Sequence, residues 1–271
     1  MSAPSSNSHE RADFPWWLAT LGVLFVCITV IIITNNLYSQ IIYIVGKGVW
    51  ITIFVTLVGF VLASAIGLGL AVMSLSNSIV LRQIARFYIE IIRGIPILVL
   101  LFYIAFVGAP GFVWLWNFIT SSLVDSGFIE PMRTRDFSLL WRAVIALTIG
   151  YSAFIAEVFR AGIQSVDTGQ IEAAKAMGLG SFMRFRLIVL PQAVRVILPP
   201  LGNDFVAMVK DSSLVSVLGV ADITQMGKVY AAGSFRFFET YSIVAYIYLI
   251  ITVSLSIALR ALEKRMRAKW D

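Results

Sequence analysis

The sequence predicts an all-α membrane protein with about six transmembrane helices. Of its 271 residues, 59% are hydrophobic and only 13% are charged, whereas soluble domains carry about 25% charged residues. The mean hydropathy is +0.89, and several apolar segments approach the ~20 residues that a helix needs to cross a bilayer. Basic residues outnumber acidic ones, 21 to 15, and they flank these segments. They therefore indicate orientation in a membrane rather than nucleic-acid binding.

The first span is predicted over residues 14–34, after a polar, Ser-rich tail over residues 1–13 that we expect to be disordered and cytoplasmic. Two upstream acids and the lack of a small-residue cleavage site favour a retained helix over a signal peptide. The second span is predicted over 48–73. Small residues recur at every fourth position within it, at Gly59, Ala63, Gly67 and Ala71. This spacing is typical of helices that pack closely together.

The third span is predicted over residues 84–107, with Arg93 and Pro96 near its entrance. Proline bends a spanning helix and frees a carbonyl group. Arg93 fits two roles, a contact with the transported molecule or a side chain that reaches to the membrane interface. Residues 109–137 are predicted as an external loop, in which 112–124 form an interfacial helix with tryptophans at the headgroup level.

The fourth span is predicted over 139–158, and a cytoplasmic loop over 160–195 follows it. Asp167 and Gln170 have the spacing of a capping box, and Gly178 supplies the left-handed residue that ends this helix. Ser181 is predicted to cap a second helix that stops before Pro191. A helix–turn–helix of this kind between membrane spans favours a docking role, although a merely solvated loop is the simpler alternative.

The fifth span is predicted to begin at Pro199 and Pro200, because proline is favoured in a first helical turn. At about 100° per residue, one stripe of this helix collects polar and charged residues. Its members are Asn203, Asp204, Ala207, Lys210 and Asp211. The stripe must avoid lipid, because a central charge costs at least about 2.5–3.5 kcal/mol. A translocation path and a Lys–Asp network that holds helices together explain it equally well.

The final span is predicted over 241–259, and a basic tail over 261–271 places the end of the chain in the cytoplasm. Six spans then put both termini on that side. The only cysteine and the only histidine, Cys27 and His9, are far apart and offer no metal site or nucleophile pair. Neither Gly-Lys pair has the G-x-x-x-x-G-K-[ST] pattern of a phosphate-binding loop. We therefore expect a chain that is not an enzyme, with no metal site and no cofactor of its own.

Two classes of transporter fit these observations. In one, a separate ATPase drives the protein through the loop over 160–195. In the other, an ion gradient drives a self-contained carrier, in which Lys210 and Asp211 relay protons. The second class commonly has internal repeats with matching broken helices. No earlier segment repeats the polar stripe of the fifth span, which favours the ATP-driven class.

Four motifs together resemble those of one transporter family. Residues 90–96, EIIRGIP, are similar to the E-x-x-R-G-T-P signature of polar amino-acid importer permeases, with Ile95 in place of the usual threonine. The loop contains E-A-A, three residues, G, nine residues and I-V-L-P, which resembles the EAA loop of ATP-binding-cassette (ABC) importers. EVFRAG at 157–162 and the segment 198–214 complete the set. The resemblance extends from about residue 50 to residue 265.

The resemblance implies a type I importer core of five helices over residues 48–260, with one additional N-terminal helix. It also implies a bacterial inner-membrane protein that works with two ABC ATPases, which bind ATP and Mg, a second permease subunit, an external solute-binding protein and an amino-acid substrate. The residues expected to couple to the ATPase are Gln170, Glu172, Ala173, Ala174, Lys175, Ala176, Met177, Gly178 and Leu179. The residues expected along the substrate path are Arg93, Pro96, Tyr151, Ser152, Asn203, Lys210, Asp211 and Ser212.

Overall fold

The computed structural model describes residues 16–267, and within that range every regular element is a helix. Five helical stretches there are long and apolar enough to cross a membrane, and one further apolar helix is shorter. The five are Asn36–Ser74, Ile97–Ile119, Leu139–Gln164, Ser181–Leu218 and Phe237–Met266, and the shorter one is Gly22–Thr34. The predicted fold class is confirmed. The predicted tail over 1–13 lies outside the described residues.

The N-terminal helix α1 (Trp16–Thr34) is separate from the next helix, α2 (Asn36–Gly46). Asn35 interrupts them in an extended conformation, and its side chain accepts a hydrogen bond from the Leu37 amide. Tyr246 of the last helix, α13 (Phe237–Arg267), holds α1 in place. Its hydroxyl lies 2.7 Å from Thr29 Oγ1, and its ring stacks on Phe25 with centroids 5.2 Å apart.

The centre of the molecule is the packing of α3 (Val49–Ser74) against α8 (Leu139–Gln164). The predicted small-residue stripe of α3 is buried at every position. A Cβ atom at Gly67 would lie 3.0 Å from the carbonyl oxygen of Ser152 in α8. The stripe therefore brings the two backbones close together, as its spacing predicts.

The third span differs from the prediction. Helix α4 (Ile79–Gly94) ends before Ile95, which is extended because the following Pro96 disfavours a helical conformation there. The spanning helix starts only after this break. It consists of α5 (Ile97–Tyr103), a π turn (Ile104–Gly108) and α6 (Ala109–Ile119).

The expected external loop over 109–137 therefore begins too early. Residues 109–119 are spanning helix, which also corrects the interfacial helix predicted over 112–124. Pro110 lies in the first turn of α6, where a missing amide is tolerated. A short helix, α7 (Ser121–Asp125), follows Thr120 at the end of α6.

Arg142 fastens the remaining external loop to the bundle. Its side chain is only 7% exposed. It donates hydrogen bonds to the carbonyl oxygens of Phe137 at 2.8 Å, of Ala105 at 3.0 Å and of Thr134. Ala105 belongs to the π turn, so one guanidinium group joins that turn, the loop and α8.

The link between the fifth and sixth spans is a helix, α12 (Ile223–Ser234), that Asp222 caps. Asp222 is fully buried. Its carboxylate accepts hydrogen bonds from the Gln225 amide at 2.8 Å and the Tyr248 hydroxyl at 3.1 Å. Burial raises the pKa of this carboxyl, and the hydrogen bonds oppose that rise. A Cβ atom at Gly48 would overlap the Asp222 backbone, so the start of α3 packs directly on this junction.

Candidate coupling segment and transport path

The predicted docking loop contains helix α9 (Thr168–Ala176). Asp167 caps it as predicted, because its Oδ1 atom accepts a hydrogen bond from the Gln170 amide at 3.2 Å. The reciprocal half of the capping box does not form. The Gln170 side chain instead accepts a hydrogen bond from Gln192 Nε2 at 2.7 Å. Gln170 thus ties α9 to Gln192, near the start of the long helix at Leu190–Asp211, rather than to its own first turn.

Gly178 ends α9 with φ = +77°, the left-handed conformation that the sequence predicts. Most of the nine residues expected to couple to the ATPase are exposed around this turn. The exposed ones are Gln170, Glu172, Ala173, Lys175, Ala176, Met177 and Gly178. Ala174 is fully buried and Leu179 is half-buried, so these two support the turn from inside.

The second helix of the loop starts and ends differently from the prediction. Gly180, not Ser181, is the N-cap of α10 (Ser181–Arg184), and the Ser181 hydroxyl accepts a hydrogen bond from Arg184. A π turn (Phe185–Val189) then continues directly into α11 (Leu190–Asp211).

Pro191 therefore does not stop the helix. A proline ring normally clashes with the carbonyl four residues earlier and offers no amide. That carbonyl belongs to Leu187, inside the π turn, where the extra residue displaces it. Pro199 and Pro200 likewise lie within α11 instead of starting it. The segment that joins the fourth and fifth spanning stretches is shorter than the predicted loop over 160–195, since α8 runs to Gln164 and the next stretch starts at Ser181.

Helix α11 packs closely on α8 near its middle. Ile197 is 8% exposed and packs on α8 at Gly162, where a Cβ atom would overlap its side chain. Ala193, one turn earlier, is 1% exposed. The lack of a side chain at Gly162 thus sets the position of this contact.

An apolar surface beside α9 extends beyond the residues that we expected to couple to the ATPase, which included only Met177 of its members. Phe182 and Met177 are each 72% exposed, and Leu187 is 56% exposed. In the sequence, this surface is indicated by large apolar side chains within an otherwise polar loop. Exposed apolar surface of this kind marks interaction sites. We define the coupling segment as residues 167–187, so that it includes this surface.

The polar stripe of α11 lies along one side of the helix next to α8. Asn203 and Lys210 are exposed, while Asp204 and Asp211 are partly buried. The Tyr151 hydroxyl of α8 donates a hydrogen bond to Asp211 Oδ2 at 2.7 Å. Among the described residues, Lys210 forms no ion pair, so the predicted Lys–Asp network is replaced by a Tyr–Asp contact. Asp204 Oδ2 is buried there without a hydrogen-bond partner.

Arg93 approaches the same side of α8 from α4. Its guanidinium carbon lies 5.7 Å from the centre of the Phe154 ring. The Phe154 ring lies 6.3 Å from that of Tyr151. The two rings thus connect Arg93 to the Tyr151–Asp211 contact. Pro96 is exposed at the start of α5 and contributes the break in the backbone.

Two residues that we expected along the path face elsewhere. Ser152 is fully buried, and its hydroxyl lies 2.8 Å from the Tyr88 hydroxyl of α4. Ser212 is also fully buried and donates a hydrogen bond to the Val209 carbonyl at 2.7 Å. The Ser152 hydroxyl joins α8 to α4, whereas the Ser212 hydroxyl bonds within its own turn. Each residue follows a path residue in sequence, and neighbours along a helix point about 100° apart.

Comparisons with known proteins agree with this architecture. The profile of the family described as "Binding-protein-dependent transport system inner membrane component" matches residues 63–268. The chain is 36% identical over 216 residues to the probable amino-acid permease protein YxeN of Bacillus subtilis, covering 80% of this chain and 88% of that protein. It is 35% identical over 221 residues to the glutamine transport system permease protein GlnP of Escherichia coli, covering 82% and 92%.

Solved structures have the same fold. A chain from the crystal structure of an amino acid ABC transporter with histidines superposes with a TM-score of 0.69 at 35% identity, covering 86% of this chain and 99% of that one. A chain of the MetNI methionine ABC transporter in an inward-facing form superposes with a TM-score of 0.62 at 21% identity, covering 84% and 98%.

These matches favour ATP-driven import over the ion-gradient carrier, with ATP hydrolysis in a separate subunit. The chain belongs to the inner-membrane permease subunits of binding-protein-dependent ABC importers.

Proposed function

We propose that this chain forms half of the membrane path for an amino acid, which an external solute-binding protein delivers. The relatives named as amino-acid and glutamine permeases support this substrate class. The observation that carries the proposal is one continuous helical stretch, Ser181–Leu218, which begins in the coupling segment and contains the polar stripe. A movement imposed at the segment has a direct connection to the stripe through this stretch.

The proposed assembly has two permease subunits and two ATPases, which bind ATP and Mg. A five-helix core over 48–260 carries out transport, and α1 is an addition to it. Both termini are cytoplasmic in this proposal, because six spans put them on the same side and the loops on that side carry a cluster of basic residues. Those basic residues are Arg82, Arg86, Arg160, Lys175, Arg184, Arg186 and Arg195.

Docking on the ATPase uses the exposed turn at Met177 and Gly178 and the neighbouring Phe182. Aromatic and methionine side chains are enriched in interface cores, where they supply most of the buried apolar area. The alanines of α9 leave room for close approach. The partner surface is expected to be a cleft that accepts one short helix.

The path itself is proposed to include Arg93, Tyr151, Asn203, Lys210 and Asp211. A zwitterion that leaves water must exchange its hydration shell for polar partners. Cationic Arg93 and Lys210 suit a carboxylate, and the Asp211 carboxylate suits an ammonium group. We add Asp204 to this set. It belongs to the predicted polar stripe but was not among the residues expected along the substrate path.

The whole proposal is tested by purifying the chain with the proteins that accompany it and reconstituting the complex in liposomes. At least one common amino acid, added with its binding protein, is expected to stimulate ATP hydrolysis and to accumulate in the vesicles. Accumulation without ATP that an ionophore abolishes would instead identify an ion-gradient carrier.

Tyr151→Phe and Asp211→Asn are expected to slow transport about tenfold while leaving the complex assembled, since a hydrogen bond to a charged group contributes about 1.5–3 kcal/mol. The measurements are initial uptake rate and subunit co-purification. Tyr88→Phe is the matched control, because it removes a buried tyrosine hydroxyl bond on another face of α8. Equal uptake in all three variants would favour a purely structural role for the Tyr151–Asp211 contact. Failure of the Asp211→Asn complex to assemble would favour the same role.

A further inference from the structure

A groove with almost entirely apolar walls lies between α11 and α13, away from the polar stripe. It holds about 140 Å³. Its walls include Leu198, Gly202 and Phe205 of α11 and Leu259, Leu262 and Met266 of α13. An engineered apolar cavity of similar size, about 150 Å³, stays dry and binds hydrocarbon. The chemistry of these walls therefore suits an alkyl chain rather than water.

Gly202 lets α11 and α13 approach each other closely beside the groove. A Cβ atom there would come within 3.3 Å of the Leu259 side chain. The rings of Phe60 and Phe205, with centroids 4.8 Å apart, form its inner end. An opening of this kind between two spanning helices faces the hydrocarbon of the bilayer unless another protein covers it. If the groove were empty, the side chains along its walls would lose dispersion contacts.

Charged groups border one end of the groove. Among the described lining residues, Glu263 alone is ionisable, and no ion pair of the described residues includes it. Arg260 and Lys264 are exposed on α13, three residues before and one residue after Glu263. They do not line the slot, but residues spaced i, i+3 and i+4 share a helix face. Both cations therefore lie next to the carboxylate that borders the slot.

We propose that this groove binds one phosphatidylethanolamine molecule. A segment of one acyl chain lies in the apolar slot, the phosphate meets Arg260 and Lys264, and the primary ammonium meets Glu263. Basic residues where spanning helices end attract lipid phosphates. The carboxylate decides the headgroup, because a charged donor–acceptor pair needs an N–H that phosphatidylcholine lacks. Phosphatidylglycerol has no ammonium and leaves its phosphate beside an unpaired carboxylate.

The test is native mass spectrometry of the full chain, exchanged in detergent against equal amounts of the three lipids with identical acyl chains. The wild-type chain should retain phosphatidylethanolamine about tenfold more than either competitor, the ratio expected for one hydrogen bond to a charged group. No preference in the wild-type chain would overturn the proposal. Retention does not depend on which molecule the protein transports.

Variants separate the parts of the site. Glu263→Gln should abolish the preference over phosphatidylcholine, and Arg260→Gln with Lys264→Gln should lower retention of all three lipids. Leu262→Trp should lower all retention by filling the slot, and Met266→Trp replaces it if the first variant does not fold. The control is Arg135→Gln with Lys228→Gln, two exposed cations outside the groove, which should behave as wild type. A Glu263→Gln variant that keeps the preference contradicts the headgroup assignment.

Discussion

Gly178→Val is expected to uncouple ATP hydrolysis from transport. Gly178 has φ = +77°, and nothing lies within 4 Å of a Cβ atom built there. The substitution therefore acts through the backbone and not through a clash. A left-handed conformation costs an L-residue about 1–2 kcal/mol, and a β-branched one more. The turn between α9 and α10 should open, so that Met177 and Phe182 no longer present one surface.

The measurement is ATP turnover stimulated by the binding protein, together with co-purification of the ATPase. We expect stimulation to fall about tenfold, in line with that conformational cost. Gly180→Val is the matched control. Gly180 has φ = −62° and equally open surroundings, so valine there is sterically acceptable. Normal coupling in Gly178→Val would show that the turn does not transmit force, and loss in both variants would point to a surface effect.

Arg142→Met is expected to destabilise the protein by on the order of 3–5 kcal/mol, the cost of stripping partners from buried polar groups. Methionine keeps the length and apolar packing of the side chain but leaves the carbonyl groups of Phe137, Ala105 and Thr134 without their donor. The external loop should then detach from the π turn. A lower midpoint of thermal unfolding in detergent and faster proteolysis within 126–138 would record both effects.

Arg142→Lys should recover only part of the loss, because an ammonium is a point donor and cannot reach three divergent acceptors as a planar guanidinium does. Arg135→Met is the control, since Arg135 is exposed in the same loop and should leave the midpoint nearly unchanged. An unaltered midpoint in Arg142→Met would mean that water replaces the guanidinium at no cost.

Local chemistry was the part of this structure that could be predicted from sequence. The Asp167 cap and the left-handed Gly178 depend on residues within one turn, and the small-residue stripe of α3 depends on a simple period. The predictions based on proline were wrong, because the effect of a proline depends on the backbone conformation of the turn before it. Pro96 divides two helices where one bent span was expected, whereas a π turn carries the chain through Pro191.

Contacts between distant segments could not be predicted. Tyr151 meets Asp211 across 60 positions of the chain, and Arg142 meets the carbonyl of Ala105 across 37. No spacing rule anticipates either pair, because both depend on how α8 is rotated against its neighbours. The same rotation turns Ser152 towards α4, although it is adjacent to Tyr151 in sequence.

The contact between Ile197 and Gly162 gives the long helical stretch the geometry of a lever with a fulcrum. At 1.5 Å per residue, the arm from Ile197 back to Ser181 is about 24 Å and the arm forward to Lys210 is about 20 Å. A lever with nearly equal arms moves its two ends by similar distances in opposite directions. If the stretch pivots there as one rigid body, an outward pull on the coupling segment swings Lys210 inward by almost the same amount. A larger side chain at position 162 would move the point of contact along the helix and change the ratio of the two end displacements.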